Sequence, residues 1–123
     1  MNDSEQIKQE ISQLAFDIKS LLSNKNKTLS LAESCTGGGI SSAITSIPGA
    51  SEYFSGSVVA YQNELKVKLL GVPCRVIDEY DVVSPEVVEC MVEGACRLFQ
   101  SDYAISTSGY AGPTGGSDKV SIG

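Results

Sequence analysis

Twice in this chain a short run with strand character leads directly into a glycine-rich loop: TLSLA (28–32) into ESCTGGG (33–39), and DYAISTS (102–108) into GYAGPTGG (109–116). Helical and strand patterns that alternate, with such loops at strand ends, restrict the chain to an α/β layer architecture. The sheet is expected to be substantially parallel. Ligands of open sheets of this kind bind beyond the carboxyl ends of the strands, so the two loops mark one candidate edge.

Periodicity supplies the remaining elements. Ile7, Ile11, Leu14, Ile18, Leu21 and Leu22 recur at three- and four-residue steps and predict an amphipathic helix over about 4–22, ended by SNKNK (23–27). Residues 40–47 read as a short helix stopped by Pro48-Gly49, and 54–61 (FSGSVVAY) as a strand. NELKVKLLGV (63–72) reads as a helix capped by Asn63 and ended at Gly71, and 73–81 as irregular. Ser84-Pro85-Glu86 provides an N-cap, a proline at the first helical position and an acid in the first turn; Val87, Val88, Met91, Ala95, Leu98 and Phe99 then repeat at helical spacing. With no internal repeat and no linker-like stretch, 1–123 reads as a single domain.

Composition narrows the chemistry. The 123 residues contain no histidine, which excludes Ser-His-Asp and Cys-His nucleophile systems and HExxH zinc sites. A net charge of −6 argues against electrostatic binding of nucleic acid or of an anionic membrane. Cys35, Cys74, Cys90 and Cys96 form no CxxC pair, so they read as free thiols of a reducing compartment rather than a metal or redox motif. The polar, acidic start MNDSEQIKQE has neither a signal-peptide pattern nor a membrane span, and a cytoplasmic location is expected.

The first loop combines hydroxyls and a thiol, on Ser34, Cys35 and Thr36, with glycine amides and a following helix start, where an anion or an oxyanion is favoured. It matches neither GxxxxGK[ST] nor GxGxxG, and a bare glycine run also serves as a plain turn. A nucleophile here needs a base other than histidine: Lys66 or Lys68, a carboxylate such as Glu33 or Glu64, or Tyr61. The lysines have an equally simple reading as solvated helix-surface residues. The second loop can hold a phosphate or ribose through backbone amides and the Ser108 and Thr114 hydroxyls, or be a mere connection. Tyr53, Phe54 and Tyr110 are candidates to stack on a planar ring, or else core residues.

AESCTGG (32–38), PGAS (48–51), VVAYQNELK (58–66), LLGV (69–72), VVSPEVVECMVEGA (82–95) and SGYAGPTGG (108–116) occur in this order, and together they closely resemble the CinA carboxyl-terminal domain, or nicotinamide-nucleotide amidase, family. The resemblance runs from about Thr28 to the end of the chain. It implies a three-layer α/β/α sandwich with a mixed, largely parallel sheet that deamidates nicotinamide mononucleotide to nicotinate mononucleotide and ammonia, without metal or redox cofactor. Ser34 is the implied nucleophile, with Tyr61 and Lys66 as the activating pair. Implied substrate contacts are Glu33, Cys35, Thr36, Gly37 and Gly38 in the first block, Asn63 in the second, and Ser108, Gly109, Ala111, Gly112, Gly115 and Gly116 in the last.

Three positions depart from the family's usual pattern: Ser108 stands for a threonine, Tyr110 for a small aliphatic residue and Thr114 for a glycine. The resemblance also implies a further strand and a terminal helix after Gly123, so the fold is expected to be truncated there. A nucleotide-sized small molecule is the expected partner, with a homodimer through the amino-terminal helix. A nucleotide-binding module without turnover, and a thiol enzyme using Cys35, are the competing readings.

Overall fold

The computed structural model describes residues 2–117 and 120–123. Helix α1 (Asp3–Lys25) is followed by β1 (Leu29–Glu33), α2 (Gly39–Thr45), a 3₁₀ turn (Ala50–Glu52), β2 (Phe54–Val59), α3 (Asn63–Leu70), α4 (Cys74–Tyr80), α5 (Pro85–Phe99) and β3 (Tyr103–Ser106). The sheet has the order β2-β1-β3, with both pairings parallel. Among the described residues the sheet is therefore parallel throughout rather than mixed, because each strand is reached by a helical crossover and none by a hairpin.

β1 is the central strand, and all five of its residues are buried. Its alternating side chains divide the core in two. Leu29 and Leu31 pack with Leu22 of α1, Ile44 of α2, Ala50 and Tyr53. On the other face Ala32 joins Val87, Met91 and Ala95 of α5 with Leu70 and Val72. Ser30 is also fully buried, and its hydroxyl is bonded to Ser101 Oγ at 2.7 Å. Helices thus cover both faces of the sheet.

Two helix boundaries move for local reasons. α1 runs past Leu22 to Lys25, because Asn26 adopts the left-handed conformation (φ 54°) and its amide caps the Leu22 and Ser23 carbonyls. Its start carries a reciprocal Asn2–Glu5 capping box. Gln62, not Asn63, occupies the N-cap of α3 and makes no side-chain cap, so Asn63 is the first helical residue. At α5 the Ser84 hydroxyl accepts from the Val87 amide at 3.2 Å, as its sequence pattern predicts.

The segment 73–81, irregular by sequence, contains α4. CRVIDEY lacks a repeating apolar stripe, and an isolated helix of two turns is unstable in water. Val76 and Ile77 hold it by packing against the α5 side of the core. The expected strand 102–108 pairs only over Tyr103–Ser106, and the expected strand 54–61 over Phe54–Val59. Only Ala15 and Leu22 of α1 are buried, and Ile7, Ile11, Leu14 and Leu21 stay 45–61% exposed. No helix among the described residues is long and apolar enough to cross a membrane.

Gly94 of α5 is buried against the last turn of α3, and a Cβ there would overlap the Leu70 backbone carbonyl. Backbone cannot move aside as a flexible side chain can, so Gly94→Ala is expected to destabilise the domain by about 3 kcal/mol, the upper end of the overpacking range. Urea denaturation should report this as a lower midpoint with an unchanged slope.

Candidate active site

Because the three strands are parallel, the residues that follow β1, β2 and β3 emerge on one edge of the sheet. The ladder continues into these segments: the Ala60 amide donates to the Glu33 carbonyl at 2.9 Å and the Thr107 amide to the Ala32 carbonyl at 3.0 Å. Beyond them lies a cleft of about 220 Å³ lined by Ser34, Cys35, Tyr61, Asn63, Lys66, Val82, Val83, Ser108, Gly109, Tyr110 and Ala111. The two glycine loops touch here, for a Cβ at Gly109 would stand 3.4 Å from Cys35 Sγ.

The first loop is shaped by Glu33. Its carboxylate is fully buried and turned inward, where Oε1 accepts from Thr36 Oγ1 (2.7 Å) and the Ile40 amide (2.9 Å), and Oε2 from the Ser41 amide (2.9 Å) and Ser41 Oγ (2.5 Å). Glu33 therefore occupies the anion position that the sequence offered at the start of α2, and, expected as a substrate contact, it lies outside the cleft lining. Burial alone would raise its pKa, but the hydrogen bonds from Ser41, Thr36 and Ile40 outweigh it and hold the carboxyl below the usual glutamate value. The next residue, Ser34, is delivered to the cleft almost buried, at 7% exposure.

Other sequence candidates separate clearly. Thr36 turns away from the cleft: its hydroxyl donates to Glu33 Oε1 at 2.7 Å and is bonded to Thr107 Oγ1 at 2.8 Å, and with Gly37 and Gly38 it lies outside the cleft lining. The Gly37 amide is committed to the Ser34 carbonyl at 2.9 Å, which leaves the amides of Cys35, Thr36 and Gly38 as the loop's available donors among the described residues. Gly112, Gly115 and Gly116 also lie outside the lining; Gly112 and Gly116 approach Ile122. Tyr53 and Phe54 belong to the core, whereas Tyr110 lines the cleft.

Among the candidate bases, Glu64 and Lys68 are exposed and Lys66 is 1% exposed. The Lys66 ammonium donates to the Tyr61 carbonyl at 3.0 Å. Burial lowers its pKa from the ordinary lysine value and outweighs the opposing electrostatic influence of the neighbouring Cys35. Tyr61 itself is 70% exposed, and it meets Lys66 through its backbone carbonyl.

Sequence reasoning missed four neighbours. Val82 and Val83, which open the 82–95 block but have no site role assigned from the sequence, form an apolar wall. Thr107 Oγ1 stands 3.5 Å from the Ser34 amide. Asp81 accepts from Tyr110 Oη at 2.9 Å, from the Val83 amide at 3.2 Å and from Ser117 Oγ. Hydrogen bonding from Ser117, opposed by partial burial and reinforced by Tyr110, holds the Asp81 carboxyl below its usual value.

Fold and site together define an α/β domain whose strand-end cleft joins a serine to a buried lysine. A family model for the CinA C-terminal domain matches residues 11–123, and the chain belongs to that family. CinA-like proteins from Pseudothermotoga lettingae and Endomicrobium trichonymphae are 50% and 55% identical over 103 residues, 84% of this chain. The chain spans only about a quarter of the length of these curated relatives, 25% and 24%. Among solved structures, the competence damage-inducible protein A of Klebsiella pneumoniae is similar with a TM-score of 0.89 at 32% identity, covering 92% of this chain and 70% of that one. The competence/damage inducible protein of Agrobacterium tumefaciens gives 0.88 at 34%, covering 91% and 68%.

Glu33→Gln replaces an acceptor-only group by one that turns an NH₂ toward backbone donors, and should cost about 2 kcal/mol at neutral pH. A carboxyl held below its unfolded value contributes stability that is present above the unfolded pKa and lost as pH falls through the folded one. Denaturant titrations at descending pH should show that acid-side loss in the parent and its reduction in Glu33→Gln.

Proposed function

We propose that this domain hydrolyses the carboxamide of nicotinamide mononucleotide, releasing ammonia and nicotinate mononucleotide. The observation that carries the proposal is the meeting of Ser34 and the buried, weakened Lys66 in one cleft of a chain without histidine. Ser34 Oγ attacks the amide carbon and its proton passes to neutral Lys66, while amides of the first loop receive the oxyanion. The Lys66 ammonium then protonates the departing nitrogen as the C–N bond breaks. Water, deprotonated by Lys66, hydrolyses the Ser34 ester and restores the hydroxyl. The remainder of the nucleotide is held by Asn63, Ser108, Gly109 and Ala111, a role supported by their position in the cleft lining.

The same reading makes the domain a cytoplasmic salvage amidase, and the exposed apolar stripe of α1 its dimer contact. One observation favours a second reading, nucleotide binding without turnover: Lys66 Nζ is bonded to the Tyr61 carbonyl and not to Ser34.

Assayed for ammonia and nicotinate mononucleotide, the chain is expected to turn over, Ser34→Ala to show no product, and Lys66→Met to lose about 10²–10⁴-fold in kcat, as removal of a general base does. The reactive form of Lys66 is the neutral amine, so kcat should rise with pH and level off below the ordinary lysine range. Binding without product in the folded parent would favour the second reading.

A further inference from the structure

Asp81 has a backbone that its residue type does not explain. It ends α4 with φ 78° and ψ 154°, a region that essentially only glycine occupies without strain. A carboxylate kept at such a position has a side-chain reason, and the hydrogen bonds supply it. One carboxylate oxygen accepts from Tyr110 Oη at 2.9 Å and the other from Ser117 Oγ, so a single residue grips the second glycine loop at both ends. Between those two points lie Ala111 and the glycines 112, 115 and 116, all three of which have positive φ. Tyr110 lines the cleft beside Ser108 and Gly109.

We propose that Asp81 is a positioning residue that clasps the 108–117 loop through Tyr110 and Ser117, and so sets how tightly the cleft holds its substrate. A glycine-rich loop has many conformations of similar energy, and the entropy of ordering it opposes binding unless it is ordered beforehand. A charged acceptor suits the task because its hydrogen bonds are stronger than those between neutral groups. Asp81 and Ser117 do not line the cleft that holds Ser34 and Lys66, and they meet it through Tyr110, so the clasp acts on binding and not on bond cleavage. The kinetic consequence rests on the amidase reading; the clasp itself does not.

Asp81→Gly tests the inference, because it relieves the backbone while removing the carboxylate. With nicotinamide mononucleotide as probe, Asp81→Gly and Tyr110→Phe should each raise KM, by about tenfold for the former, with kcat within about twofold of the parent. The double variant should be no worse than Asp81→Gly alone, since both changes break one tie. Amide hydrogen exchange over 108–117 should quicken in Asp81→Gly while its thermal midpoint holds or rises. Unchanged KM together with unchanged exchange in Asp81→Gly would overturn the clasp. If the parent does not turn over the nucleotide, the amidase reading fails, and loop exchange alone still decides for or against the clasp.

Discussion

The Glu33 carboxylate, buried at the start of α2 and accepting four hydrogen bonds, is the interaction on which the site depends. A helix start leaves backbone amides without partners, and a buried carboxylate without donors is costly to keep charged. Here each meets the other's need. The result is a loop whose path is set from beneath, so that Ser34 leaves the central strand toward the cleft while its neighbour points into the protein. In this glycine loop the Ile40 and Ser41 amides at the helix start are taken by an anion that is part of the chain.

Around that point the parallel sheet does the assembly. β1 contributes Ser34, the end of β2 leads into Tyr61 and α3, and β3 leads into Ser108 and Gly109. α3 carries Lys66 inward because its other buried residue, Leu70, packs on α5, where Gly94 leaves room for the backbone to approach. The weakened basicity of Lys66 is therefore a product of core packing. Similarity to solved CinA-superfamily structures at TM-scores of 0.88–0.89 agrees with this architecture over nine-tenths of the chain.

Much of this was legible in the residues. The α5 start was fully specified by Ser84-Pro85-Glu86, and the order of the strands, the loops and the helices other than α4 followed from patterning. Ser34, Tyr61 and Lys66 were gathered by resemblance before any geometry. What local patterning could not show is where a side chain turns. Glu33 and Ser34 are adjacent in the sequence with opposite destinations, inward to α2 and outward to the cleft. α4 escaped because only tertiary contacts of Val76 and Ile77 sustain it. Asp81 escaped because its partners lie 29 and 36 residues away.

By itself, then, the sequence determined the layer class, the strand-end location of the site and the exclusion of histidine chemistry, since these depend on residue type and near-neighbour spacing. Tertiary structure alone decided that Lys66 is buried while Lys68 is solvated, that the Glu33 carboxylate turns inward to cap α2, and that Asp81 reaches across to the second loop. Those outcomes turn on burial and on hydrogen bonds between distant segments. Both are properties of the packed chain and have no local signature.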